Sequence, residues 1–381
     1  MTTRVAIVGA SECDLGITGS TVLALQAQAV ARALDDAGLR MSDVDGLATN
    51  GISRFSSSAL ADYLGLQPSW AESTYVGGSA CESYIGRAVQ AIESGQCTTA
   101  VVSFANNPRT LRTTTLAGFI EATPESQFET PYGPLYPISY YAMAAQRYLH
   151  EYGLDGSAFA EVAIAAREWA LLNPAAFRFG AGPLTMDAVM SSDEISSPLR
   201  AFDCCLVTDG GGAVVLTSME RARDLRRAPI AVLGYGEATT NTSMTAVRST
   251  VRTGGIESSA RAYAMAGLSP ADVDVAELYD SFTVTVLLTL EALGFCGFGE
   301  ASDFVNGGRI RPGGEFPLNT SGGGLSYCHP GQFGILLLVE AVRQLRVESG
   351  ARQVKGAEVA ICHGTGGILS HHSTVLLGVD R

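Results

Sequence analysis

An α/β fold made from two copies of one helix–turn–strand unit is predicted for this 381-residue chain by three observations. Residues 37–50 align without gaps on residues 266–279, both opening Ala-Gly-Leu-x-x-x-Asp-Val-Asp after an alanine-rich helix. A second echo pairs Ala88-Val-Gln-Ala-Ile and the run 99–104 with Ala341-Val-Arg-Gln-Leu and the run 357–362. Third, short runs rich in Val and Ile alternate with amphipathic helical stretches, the pattern of a mainly parallel sheet covered by helices.

Taken in order, residues 3–9 read as the first strand, followed by the helix that stops at Gly38 and the strand after Val44. A helix ending near Gly95 feeds a buried strand at 99–104. The stretch from about 106 to 202, with its proline and tyrosine cluster at 131–137, reads as a long insertion with the character of a lid. Residues 229–236 then match the first strand, so the basic stretch 220–229 is the expected join of two halves, 1–225 and 226–381.

Composition narrows the function classes. A net charge of −13 argues against nucleic acid or an anionic membrane surface as the main partner. Apolar runs such as 335–339 are too short to span a bilayer. Eight cysteines without a repeating spacing, and no leader before the strand-like 3–8 stretch, suggest free thiols in a reducing cytoplasm. The adjacent Cys204 and Cys205 lack the spacing of a zinc site and read as buried structural thiols, so no metal is expected.

The segment 319–331, Asn-Thr-Ser-Gly-Gly-Gly-Leu-Ser-Tyr-Cys-His-Pro-Gly, carries the chemistry. A glycine-rich turn before a long apolar helix offers free backbone N–H groups to a developing oxyanion, and His329 stands where it can donate to the same oxygen. The plainer alternative is a helix cap with a buried histidine. Two further segments, Glu277-Leu-Tyr-Asp-Ser-Phe282 and Cys362-His-Gly-Thr-Gly-Gly367, favour chemistry.

Two α/β halves, a histidine in a Gly-Gly…His-Pro-Gly turn and a late Cys-x-Gly-x-Gly-Gly loop resemble the thiolase superfamily. Residues 279–283 ahead of 290–294, and the run 203–211, are most similar to the sterol-carrier-protein-x-type, lipid-transfer-like branch. The resemblance implies a thiolase-like, five-layered αβαβα fold, a homodimer, a coenzyme A thioester as substrate and no further cofactor. In this branch it also implies a small partner protein with a zinc ribbon and an oligonucleotide-binding-type barrel.

The departures from the family set the reaction. The family's nucleophilic cysteine falls on Gly78, where there is no sulfur. Cys81 is the displaced candidate, and Ser79 is weaker because no histidine neighbour is visible in the sequence. Tyr279 stands where degradative thiolases carry asparagine or histidine, a pattern similar to the bacterial steroid side-chain aldolases, which cleave β-hydroxyacyl-CoA thioesters by a retro-aldol step. Such a step needs a base, an acid and donors around the thioester oxygen, but no covalent nucleophile.

On that reading Tyr279 and Tyr327 jointly move the proton, and His329 donates to the thioester oxygen with the amides of Gly366 and Gly367. Cys362, with His363 beside it, stands where thiolases keep a second, proton-shuttling cysteine. Arg248 and Arg252 are candidate contacts for the coenzyme A phosphates, or members of a solvated loop. His150, His371 and His372 read as surface residues. Acyl transfer through Cys81 or Cys362, and a non-catalytic acyl-CoA-binding subunit, remain the alternatives.

Overall fold

A computed structural model describes residues 4–112 and 124–380, so Thr3 and residues 113–123 of the insertion lie outside the described residues. The strands of the main sheet are β1 (Val5–Glu12), β2 (Gly46–Ala48), β3 (Trp70–Glu72) and β4 (Thr99–Asn106). A separate ribbon, β5 (Glu194–Ser196) with β6 (Leu199–Arg200), precedes β7 (Gly210–Ser218), β8 (Ile230–Thr239), β9 (Val275–Leu278), β10 (Val359–Gly366) and β11 (His371–Val379). Pairing runs β3-β2-β4-β7-β1-β8-β11-β10-β9 through nine strands. Among the described residues its two sides are joined where Ala6 pairs with Ala231 and Ile7 with Ile230.

The repeat has a physical basis. The first copy is the helix Val22–Ala37, a left-handed Gly38, the short turn Met41–Asp43 and β2; the second is Gly255–Ala266, a left-handed Gly267, Pro270–Asp272 and β9. Each turn is closed by its own aspartate: Asp43 accepts from Arg40 N and Asp272 from Ser269 N, both at 2.8 Å. The next aspartate of each copy ties the neighbouring parallel strand, Asp45 accepting from Thr99 N at 2.7 Å and Asp274 from Val359 N at 2.9 Å.

Strand alternation sorts side chains into layers. Val5 and Ile7, Val102 and Phe104, Val214 and Leu216, Ala360 and Cys362, and Val375 and Leu377 all enter one central core. The helices Ala80–Glu93 and Gly334–Leu345 fill that core between the two sides of the sheet. Opposite faces pack on Val22–Ala37 at one side and on Gly255–Ala266 and Thr283–Ala292 at the other, which gives the αβαβα order.

Three expectations change. The sheet is mixed rather than mainly parallel: β4–β7, β7–β1, β1–β8, β8–β11 and β11–β10 are antiparallel, because β10 and β11 form a tight hairpin and β7 enters only after the insertion. The described insertion is not only a lid, since the helices Ile138–Tyr152 and Ser157–Leu171 bury Tyr148, Phe159 and Val162 in the second core. Cys204 and Cys205 are half-buried rather than buried, Cys204 bridging Phe282 at the sheet margin. No helix among the described residues is long and apolar enough to cross a membrane.

Candidate active site

Two buried carboxylates assemble the site. Strand β9 runs out through Glu277 and Leu278 into Tyr279 and Asp280, and both acids reach back to the glycine-rich segment. Glu277 accepts from Thr320 N at 3.1 Å and from its hydroxyl at 2.9 Å, while Leu278 N donates to Asn319 Oδ1 at 2.7 Å. Asp280 accepts from Gly324 N at 2.7 Å and Leu325 N at 3.2 Å. The amides expected to be free for an oxyanion are therefore engaged, and residues 323–327 form one turn of π-helix. A Cβ at Gly323 would stand 2.1 Å from Asp280 Oδ2, so the glycine makes room for this carboxyl. Burial pushes Asp280 up to about 7, against the lowering effect of the two amides.

Beyond the turn the chain carries Cys328 and His329 across to Thr208, whose hydroxyl accepts from His329 N at 2.9 Å. His329 thus precedes the apolar helix Gly334–Leu345 by one extended loop and faces Tyr279. The Tyr279 hydroxyl lies 3.0 Å from His329 Nε2, and the two rings meet edge to face at 87°. Phe333 closes the other side of both rings.

Burial holds His329 down to about 4, so the imidazole is neutral at physiological pH. Burial likewise raises the Tyr279 phenol well above its usual range. Neither group readily carries a charge, so each works as a neutral donor or acceptor.

The Tyr279 ring occupies the space that a side chain at residue 78 would need. A Cβ on Gly78 would come 2.5 Å from Tyr279 Cε2 and 2.5 Å from the Thr365 carbonyl oxygen. Gly78 lies in the short turn Gly77–Ser79 that starts the helix Ala80–Glu93. Gly366 and Gly367 press on the same turn, a Cβ on Gly77 falling 2.7 Å from Gly367 N. The phenol, the imidazole, the helix start and the glycine loop therefore converge.

Other expected residues stand apart. Tyr327 is buried beside the ion pair of Glu12 and Arg343, and among the described residues no hydrogen bond joins its hydroxyl to Tyr279 or His329. Cys81 is buried, and burial raises its thiol far above the usual value, which disfavours the thiolate. Cys362 is buried too, its sulfur directed at the Leu337 carbonyl at 3.7 Å. His363 faces the outer layer, bonded to Thr374 Oγ1 at 2.9 Å and His372 Nδ1 at 3.2 Å. Arg248 and Arg252 are exposed, the guanidinium of Arg252 lying 3.9 Å from the centre of the Phe298 ring.

His371 and His372 are not surface residues: their exposures are 5% and 1%, because β11 is covered on both faces. His371 Nδ1 lies 2.8 Å from Ser79 Oγ and its Nε2 lies 3.6 Å from Glu237, so Ser79 has the histidine neighbour that the sequence hid. His150 is exposed. Sequence reasoning also missed Asp280, inside the 277–282 segment, and Glu82, the neighbour of Cys81.

His329 makes an acid-sensitivity prediction. Its folded value of about 4 lies below the ordinary 6.5, so between these the unfolded chain binds a proton that the folded one refuses. Stability from this group is present above 6.5 and lost as pH falls toward 4. Urea unfolding of wild type and His329→Asn across that range should show wild type losing about 1.4 kcal/mol more per pH unit. Parallel curves would show that His329 is protonated in the fold.

A buried phenol–imidazole pair at a helix start, in a layered αβαβα fold with a repeated helix–turn–strand unit, defines a thiolase-fold site with no thiol at residue 78. Residues 236–379 match the family described as thiolase C-terminal domain-like. The chain is 37% identical to the 17-hydroxy-3-oxo-4-pregnene-20-carboxyl-CoA lyase of Mycobacterium tuberculosis, over 95% of this chain and 97% of that protein. It is 36% identical to the steroid side-chain-cleaving aldolase of Thermomonospora curvata, over 99% of this chain and 98% of the other. A solved structure described as an Ltp2-ChsH2(DUF35) aldolase superposes with a TM-score of 0.90 at 33% identity, covering 99% of this chain and 98% of that one. This chain belongs to the thiolase superfamily, in the group that holds the steroid side-chain aldolases, and it is an enzyme of the lyase type.

Proposed function

We propose that the enzyme cleaves the Cα–Cβ bond of a β-hydroxyacyl-CoA thioester with a bulky, steroid-like side chain by a retro-aldol step. The observation that supports this most is the Tyr279 ring lying where a thiol-bearing side chain at residue 78 would have to be, with its hydroxyl 3.0 Å from His329 Nε2. In this reading neutral Tyr279 relays the β-hydroxyl proton, giving up its own phenolic proton as it accepts that one, the bond electrons pass to the enolate, and neutral His329 donates to the thioester oxygen. Amides of Gly366 and Gly367 assist at that oxygen. Tyr327 and Cys362 share the core that backs Tyr279, His363 lies on the outer face beside Cys362, and the exposed Arg248 and Arg252 are assigned to the coenzyme A phosphates.

The internal repeat supports a chain of two thiolase-like halves dividing near 225, and the enzyme is proposed to act as a homodimer in the cytoplasm. The solved aldolase that it resembles is described with a second component, which supports a small partner protein here.

The test is product analysis with a steroid β-hydroxyacyl-CoA, with and without a co-purified partner. A ketone or aldehyde together with a shortened acyl-CoA is the expected outcome. Free coenzyme A, or a mass shift showing an acyl group on Cys81 or Cys362, would replace this reading with acyl transfer.

A further inference from the structure

We propose that Glu82 is the proton store of this site: its carboxylate receives, through Tyr279, the proton of the substrate's β-hydroxyl and returns it for protonation of the enolate carbon. The role rests on the cleavage reading above. Glu82 lies in the first turn of the helix Ala80–Glu93, directly after the short turn Gly77–Ser79 that carries Gly78. It is 0% exposed, and neither carboxyl oxygen has a hydrogen-bond partner. A buried acid with both oxygens unpaired is rare enough in folded proteins to call for a functional account.

The surroundings are shaped for it. A Cβ on Gly334 would stand 2.3 Å from Glu82 Oε2, and one on Gly364 would stand 2.5 Å away, so glycine at both places leaves room for the carboxyl. Gly334 follows Phe333, which packs on Tyr279 and His329. Gly364 precedes the loop that presses on Gly77. On its other side Glu82 borders a cavity of about 680 Å³, also lined by Ser83, Arg87 and Glu237, from which water can bridge proton exchange.

Every element around the carboxyl leaves it without a counter-ion. Its own helix offers Cys81 and Arg87, and Arg87 is taken by Glu72 at 3.1 Å and Glu237 at 3.6 Å. Strand β10 presents Cys362 and the residue after β9 is Tyr279, both of which feel the Glu82 charge. Strand β11 presents His371, engaged by Ser79, and the helix Gly334–Leu345 presents backbone. Burial therefore pushes Glu82 up to about 8, whereas Tyr279 and His329 resist charge altogether. Of the three, only Glu82 changes charge near neutral pH.

Protons balance in this scheme. The β-hydroxyl proton replaces the phenolic proton of Tyr279 as the carbon–carbon bond breaks, and that phenolic proton crosses to the Glu82 carboxylate over a bridging water, since neither carboxyl oxygen is bonded to the phenol directly. The same proton then returns to the enolate carbon, which restores the carboxylate.

Cleavage is measured for wild type, Glu82→Gln and Glu82→Asp from pH 6 to 9, with melting curves to check folding. The expected wild-type rate climbs with pH and levels off above about 8. Glu82→Gln should be about 100-fold slower, the size of a general acid–base contribution, and flat with pH, while Glu82→Asp keeps the climb. Infrared difference spectra without substrate supply an independent reading, because a protonated-carboxyl band titrating over that range should vanish in Glu82→Gln. A folded Glu82→Gln enzyme with the wild-type rate and pH climb, or spectra in which no such band is lost, would overturn the proposal. A wild type that shows the band but never cleaves would instead overturn the cleavage reading, and the assigned role with it.

Discussion

Replacing Tyr279 by phenylalanine should lower cleavage by about 100-fold to 10,000-fold, the range expected when a general acid–base group is removed. The ring would remain between Gly78, His329 and Phe333, so packing is kept and only the hydroxyl is lost. His329 Nε2 would lose its 3.0 Å partner in a buried place. That should cost about 1–3 kcal/mol of stability, visible as a modest fall in Tm. Binding of the thioester should change little, so the loss belongs in kcat. A Tyr279→Phe enzyme with wild-type kcat would remove the phenol from the reaction and return attention to Tyr327.

Gly78→Ala should be at least as damaging, although it adds a single methyl group. That methyl would lie 2.5 Å from the Thr365 carbonyl oxygen, which the β10 ladder holds, and 2.5 Å from the Tyr279 ring. The ring is the part that can move, and moving it breaks the bond to His329. We expect activity as low as in Tyr279→Phe, together with a loss of about 1–3 kcal/mol from overpacking. The double variant should lose scarcely more activity than Gly78→Ala alone, because both changes disable one group. Gly78→Cys should meet the same obstruction and form no acyl adduct by intact-mass measurement. Restoring the family's sulfur in this fold would therefore yield neither an aldolase nor a thiolase.

Much of this enzyme was legible before any coordinates. The gapless match of 37–50 with 266–279 announced the duplication, because an aspartate that closes a turn by bonding its own backbone is a local device that leaves a local signature. Tyr279, His329 and the empty position at Gly78 were likewise readable, since each departs from or keeps a fixed spacing within a short motif. Pairing across the chain was not. Strand direction at the centre of the sheet depends on which runs become neighbours after a long insertion, so the antiparallel middle was invisible.

The same holds for the side chains that the reading misplaced. His371 and His372 do point to opposite faces of a strand, but both faces of β11 are covered by helices that belong to distant parts of the chain. Tyr327 is only two residues from His329, yet a π-turn fixed by Asp280 turns it toward Glu12 and Arg343. The amino-acid order by itself determined the repeat, the family and the absence of a thiol at residue 78. The tertiary structure alone decided which phenol meets the imidazole and which acid is buried without a partner. Local hydrogen bonds and spacing are written in neighbouring residues, whereas burial and side-chain encounter are made by segments that the chain brings together only on folding.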